Sequence, residues 1–144
     1  MAYKTKYKIT NEKKYIGNPL NIICRSLWER RVCKYLDENQ NVLRWGSEEI
    51  SIPYYSPVDK KTHKYYPDFI AEIKNSKGEI SRYVIEVKPE KQTKPPKESK
   101  KKTKSYLKEC MRYKINEAKW ISAKQVCENN DWKFIILTEK TILP

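Results

Sequence analysis

The stretch that decides the fold is Tyr66-Pro67-Asp68-Phe69-Ile70-Ala71-Glu72-Ile73-Lys74, followed across Asn75-Ser76-Lys77-Gly78 by Ile80-Ser81-Arg82-Tyr83-Val84-Ile85-Glu86-Val87-Lys88. Both runs are rich in β-branched and aromatic residues, and the link between them is turn chemistry. His63 to Lys74 and Ile80 to Lys88 therefore read as two strands of a hairpin. Phe69, Ala71 and Ile73 share one face of the first strand. Tyr83, Ile85 and Val87 share one face of the second. Asp68 lies on the face opposite Phe69, and Glu86 and Lys88, two residues apart, project from the same face as each other.

Paired strands bring side chains within ~4.5–8 Å of one another when the register permits. Asp68 and Glu86 meet if their faces agree. Two carboxylates so close repel unless a hard cation sits between them. Mg²⁺ suits such a pair because it binds through one or two carboxylates, keeps several waters and accepts phosphate oxygens. Lys88 points into the same space. The set fits phosphodiester hydrolysis: the ion polarises the phosphoryl oxygen, and the lysine positions water and offsets charge growing on phosphorus. A preorganised cation of this kind contributes ~2.7–4 kcal/mol to lowering a barrier. The competing reading is a surface salt-bridge cluster on a polar sheet face, since E-x-K is common on strands.

Working outward, Leu27, Trp28, Val32, Tyr35 and Leu36 recur at helical spacing and predict a helix from Ser26 to Glu38. Ser26 and Glu29 match a capping box. Val42 to Trp45 and Glu49 to Tyr55 read as short strands, the second confined to an edge or an end by Pro53. Residues 56–62 read as a turn. From Pro89 to Lys104 the chain is rich in lysine and proline without apolar period, which predicts an extended loop. Ser105 to Tyr113 and Asn116 to Cys127 read as two helices, with Asn116 as N-cap of the second and Trp120, Ala123 and Cys127 on one stripe. Trp132 to Thr138 is a final strand. The order α-β-β-β-β-α-α-β predicts an α/β fold: one domain over residues 1–144, with a central mixed sheet flanked by helices.

The chain has 144 residues and a formal charge of +13, from 31 basic and 18 acidic residues. Such an excess predicts a polyanionic partner, nucleic acid before an anionic membrane, because no strongly amphipathic basic helix with an aromatic face is evident. Lys91, Lys94, Lys97, Lys100, Lys101, Lys102 and Lys104 read as a strip for the DNA backbone. Lysines on phosphates position a duplex without reading its sequence. Tyr54, Tyr55, Tyr65 and Tyr66 are candidates for base stacking. The start of the chain reads as an irregular basic arm over residues 1–20, with no apolar signal segment, and no run is long enough to span a bilayer. The four cysteines form no close-spaced pair and there is one histidine, His63, so zinc is not expected. Each cysteine reads as a small buried residue of a helix-like stretch. Tyr15-Ile16-Gly17 resembles half of a different nuclease signature whose partner trio is absent.

Pro67-Asp68 followed by Glu86-Val87-Lys88 resembles the PD-(D/E)xK nuclease superfamily, which has a restriction-endonuclease-like fold. Arg25-Ser26-x-Trp28-Glu29, Trp45-Gly46-Ser47-Glu48, Ile52-Pro53-Tyr54, Ile85-Glu86-Val87-Lys88-Pro89, Gln92-Thr93-x-Pro95-Pro96 and Phe134-x-Ile136-Leu137-Thr138-Glu139 are similar to head completion nucleases of T4-type tailed phages. They are more distantly similar to TnsA-type transposon endonucleases. The resemblance implies Asp68, Glu86, Lys88 and Glu29 as catalytic residues. It implies Mg²⁺, with Mn²⁺ able to substitute, held at Asp68, Glu86 and Val87. It also implies double-stranded DNA as substrate, portal or neck proteins as partners, and an address in the host cytoplasm or on the virion. Glu48 is shared too, either as a ligand or as a brace. The alternative function is a non-catalytic, basic DNA-binding or head–tail joining protein with a vestigial site. A basic structural protein of a virion is a third class, which would not need clustered carboxylates.

Overall fold

The computed structural model describes residues 4–142, with no side-chain description of Ile142, so the first three residues of the expected arm lie outside the described residues. In chain order the elements are β1 (Thr5–Lys6), a 3-10 turn at Glu12–Lys14, β2 (Ile23–Cys24), α1 (Leu27–Glu38), β3 (Val42–Ser47), β4 (Ile52–Tyr55), β5 (Thr62–Tyr65), β6 (Phe69–Lys74), β7 (Ile80–Val87), a 3-10 turn at Glu90–Thr93, α2 (Lys104–Asn129), β8 (Lys133–Leu137) and α3 (Glu139–Ile142).

The hairpin β6–β7 is the centre of a four-stranded mixed sheet of order β3-β6-β7-β8. The β3–β6 and β6–β7 pairs are antiparallel, and β7–β8 is parallel. A parallel neighbour requires a long crossover, which α2 supplies. Alternation then sorts the core. Phe69, Ala71, Ile85 and Val87 face α1, packing with Val32, Cys33, Leu36 and Trp45. Ile70 and Val84 face the other way, toward Cys127 of α2. Trp120 and Ala123 of α2 pack with Ile52, Tyr54 and Tyr65.

Three expected elements differ. The strand read over His63 to Lys74 is two strands: β5 pairs with β4 in a separate two-stranded sheet, and β6 begins only after Pro67-Asp68. Proline has no N–H for the ladder and pushes the residue before it out of register, so the break falls at Tyr66-Pro67. The two helices expected near 105–113 and 116–127 are one 26-residue helix, about 39 Å long at 1.5 Å per residue. Asn116 is not a cap but a buried mid-helix residue. No Gly or Pro interrupts the segment, so nothing stops propagation once Thr103 caps it by accepting from the Tyr106 amide at 3.1 Å. The 89–104 loop contains a short 3-10 turn, and Lys104 already belongs to α2.

The arm expected to be irregular is tied to the domain. β1 pairs antiparallel with β2, which places Cys24 on a strand rather than in a helix-like stretch. Tyr15 packs edge-on against the buried Trp45 ring, 4.9 Å between centroids. The Ile16 amide donates to the Trp45 carbonyl at 2.6 Å. Gly46 is required at this crossing, because a Cβ there would stand 2.9 Å from the Ile16 carbonyl oxygen. Tyr15-Ile16-Gly17 is thus packing. Asp37, fully buried at the end of α1, accepts from the Tyr7 hydroxyl (2.8 Å), the Thr10 amide (2.8 Å) and the Asn11 amide (2.9 Å).

Asp37→Ala strands two backbone amides and a hydroxyl. It should lower unfolding free energy by ~2–4 kcal/mol in urea titrations, since each buried donor left unpaired costs ~1–3 kcal/mol. Burial pushes the Asp37 pKa up, but the Thr10, Asn11 and Tyr7 hydrogen bonds outweigh it and hold the value below normal. Its contribution is therefore present above the ordinary aspartate range and lost as pH falls through the lower folded value. The gap between wild type and Asp37→Ala should be full at neutral pH and shrink in acid.

Candidate active site

The register of β6 and β7 decides where the acids stand. Phe69 pairs with Ile85, so the residue before Phe69 lies opposite the residue after Ile85. Asp68 and Glu86 therefore face each other on one side of the sheet, the side covered by α2. Each is fixed by one donor. The Val87 amide donates to Asp68 Oδ2 at 2.7 Å. Trp120 Nε1 donates to Glu86 Oε2 at 3.2 Å, a bond carried across from α2. In a strand the N–H and C=O of one residue point to the same edge, so the Val87 carbonyl also opens toward Asp68. Lys88 follows directly, its amide donating to the Leu137 carbonyl at 2.9 Å. Strand alternation sends its side chain to the Glu86 side.

Asp68 sits outside the strand because Pro67 ends the ladder there. Its carbonyl accepts from the Glu48 amide at 3.1 Å, which anchors the loop after β3 to the site. Glu48 occupies the left-handed region (φ 54°), an uncommon conformation for a residue with a side chain. Its carboxylate pairs with Arg25 Nε at 3.2 Å. Of the two roles open for Glu48 in the sequence, bracing is the one these contacts describe.

The electrostatics are those of a site missing positive charge. Burial pushes the Asp68 pKa well up, and the facing Glu86 pushes it further, with a smaller push from Glu29; the Val87 hydrogen bond works against them. No ion pair among the described residues includes Asp68, Glu86 or Lys88. The salt-bridge cluster that E-x-K alone would suggest is therefore not formed. The Tyr65 hydroxyl is buried beside Glu86. Burial raises its pKa and the Glu86 charge adds to that. No three His, Cys, Asp or Glu side chains among the described residues form a ready cage. A hard divalent cation needs only one or two carboxylates and fills its remaining positions with water or phosphate. Asp68, Glu86 and the Val87 carbonyl fit that demand.

Glu29 approaches from α1, on the other face of the sheet. It closes a variant capping box: its own amide donates to Ser26 Oγ at 3.1 Å, while its carboxylate accepts from the Arg25 amide at 3.0 Å rather than from Ser26. Burial raises its pKa, against the Arg25 hydrogen bond. Its charge reaches Asp68, but its carboxylate is already engaged.

The lysine strip lies apart from the acids. Lys91, Lys94, Lys97, Lys100, Lys101, Lys102 and Lys104 are all exposed. Lys91, Lys94 and Lys97 line a groove of about 540 Å³ against Arg112 and Tyr113 of α2. The strip joins the site through Pro89, directly after Lys88. Of the tyrosines considered for stacking, Tyr54 and Tyr65 are buried, and Tyr55 and Tyr66 are exposed. His63 pairs with Asp59 at 2.6 Å on the β4–β5 hairpin.

Two residues escaped the sequence reading. Trp120 was legible as core, but not as the donor that orients Glu86. Lys119, beside it, gave no signal in a chain so rich in lysine. Burial lowers its pKa, with Lys88 adding to the effect and Glu86 and Asp68 opposing it.

Asp68 has a raised folded pKa, so between its unfolded and folded values the folded state holds the extra proton, and stability is lost as pH rises through that window. Asp68→Asn removes the repulsion while keeping an acceptor for Val87. In chelator at pH 7–8 its melting temperature should equal or exceed wild type, with the difference vanishing in acid. A variant clearly less stable than wild type at neutral pH would show that Asp68 is not under electrostatic strain.

No helix among the described residues is long and apolar enough to cross a membrane. No solved structure matches the chain significantly. Residues 39–139 match the family described as TnsA-like endonuclease N terminal, a PD-(D/E)xK fold. The chain is 36% identical over 143 residues, 96% of its own length and 93% of the relative's, to the head completion nuclease of Enterobacteria phage T4. With its mixed sheet, flanking helices and acids facing each other across β6 and β7, the chain belongs to the TnsA-like endonuclease family.

Proposed function

We propose that this protein is a Mg²⁺-dependent deoxyribonuclease whose reaction centre is Asp68, Glu86 and Lys88. The observation that carries the reading is the pair of facing carboxylates with no counter-cation of their own. Asp68, Glu86 and the Val87 carbonyl would hold the ion, and Mn²⁺ would substitute because it takes the same oxygen ligands. When bound, the ion supplies a Lewis acid beside the phosphodiester and makes water there more acidic. The chain's own residues do the rest. Trp120 and the Val87 amide hold the two carboxylates in place. Lys88 donates to a non-bridging phosphate oxygen and orients the attacking water. Glu29 contributes from α1 by adding negative potential that favours a cation. Attack by water on phosphorus breaks one P–O bond, and the leaving oxygen takes up a proton.

The exposed lysines from Lys91 to Lys104 support a duplex backbone contact alongside this centre. The likeness to the head completion nuclease of phage T4 supports a role in head completion, in which packaged DNA would be the substrate before tails join. That role has portal or neck proteins as partners and the host cytoplasm or the virion as the address.

Linear and circular duplex DNA, incubated with and without Mg²⁺, tests the chemistry. Wild type should cleave only with the metal, and Lys88→Ala should be slower by about 10²- to 10³-fold, the usual loss for one preorganised donor. Equal degradation by both proteins would sink the assignment of Lys88. Binding in chelator tests the strip. Replacing Lys100, Lys101 and Lys102 with alanine should flatten the slope of log affinity against log salt by about 0.9 per lysine in contact. An unchanged slope would remove these lysines from the interface.

A further inference from the structure

We infer that Lys119 forms, together with Lys88, a seat for a backbone phosphate of the DNA strand, on the α2 side of the facing carboxylates. This inference rests on the nuclease reading and deepens it.

The placement follows from the crossover. α2 covers the face of the sheet that carries Asp68 and Glu86, and the Trp120 bond to Glu86 pins one turn of it to the site. The adjacent Lys119 sends its Nζ over two aromatic rings of the β4–β5 hairpin, 5.7 Å from the Tyr54 centroid and 5.6 Å from that of Tyr65. Aromatic faces steady an ammonium without neutralising it. No carboxylate pairs with Lys119 among the described residues.

The amine is therefore held in position, partly buried, and in no ion pair among the described residues. Strand alternation sends Lys88 to the Glu86 side of the sheet, and the Trp120–Glu86 bond brings the turn of α2 that carries Lys119 to that same side. Two ammonium groups without ion-pair partners on one side of the site repel, and an anion between them relieves the repulsion. Asp68 and Glu86 are nearby, but each already accepts a hydrogen bond, and both face the proposed cation. A phosphate oxygen satisfies both amines at once. The buried Tyr65 hydroxyl, beside Glu86, borders the same space. A lysine kept only for solubility would not be held over two tyrosine rings, because confinement costs it rotamer freedom.

Lys119→Met keeps the aliphatic stem and removes the charge, while Lys119→Arg keeps the charge. Cleavage kinetics with Mg²⁺ should show kcat/KM of Lys119→Met lower by about 10- to 100-fold, the range of a lost charge-assisted hydrogen bond, with most of the loss recovered in Lys119→Arg. Duplex binding in chelator should give a salt slope shallower by about 0.9 for Lys119→Met and unchanged for Lys119→Arg. Lys119→Gln replaces Lys119→Met if melting shows the latter unfolded. A purely structural lysine would lower the melting temperature and leave the slope alone. Wild-type slope and kinetics in the charge-removing variant, or an arginine variant as impaired as it, would overturn the inference. Wild type that fails to cleave with any divalent metal would instead overturn the nuclease reading, and the salt slopes would still report on the seat.

Discussion

Two carboxylates held opposite each other on neighbouring strands, with no cation of the chain's own to separate them, are the constraint around which this molecule is arranged. The antiparallel register of β6 and β7 makes Asp68 and Glu86 neighbours, and Pro67 frees Asp68 from the ladder so that its carboxyl stays available. Repulsion of this kind is unfavourable in the protein alone. A positive charge between the carboxylates would relieve it, so the protein gives up stability to hold them together.

Holding the pair rigid takes contributions from distant segments. The Trp120 bond to Glu86 comes from α2, the crossover that the parallel β7–β8 pairing demands. The Glu48 amide that holds the Asp68 carbonyl comes from the loop after β3, kept in its left-handed turn and tied to the N-terminus of α1 by Arg25. The arm before α1 is locked by Asp37 at one end and by the Tyr15–Trp45 contact at the other. Apart from the exposed Arg25–Glu48 ion pair, these supports are buried or half-buried hydrogen bonds and a packed ring, and such contacts keep their geometry in salt.

Positive charge is organised at two levels. The lysines of residues 91–104 are exposed and loosely held, suited to general attraction for a polyanion. Lys88 and Lys119 are partly buried and positioned by strand geometry and by aromatic faces. On the proposed reading, the first group governs approach to a polyanion and the second holds a single phosphate.

The central hairpin, the face shared by Glu86 and Lys88, the α1 cap at Ser26 and the final apolar strand could all be read from local pattern, because alternation, turn residues and capping are encoded within a few positions. The same local reading divided α2 in two at Asn116, ran one strand through Pro67 and left the arm unstructured. In each case the deciding partner lies elsewhere in sequence: the residues 91–97 that line a groove with Asn116, the β4 strand that draws off β5, the buried Asp37. That Asp68 faces Glu86 needed the β6–β7 register, which no residue type specifies. That Lys119 stands out from its many fellow lysines needed the packing of Tyr54 and Tyr65, since a charge gains individuality only from what surrounds it.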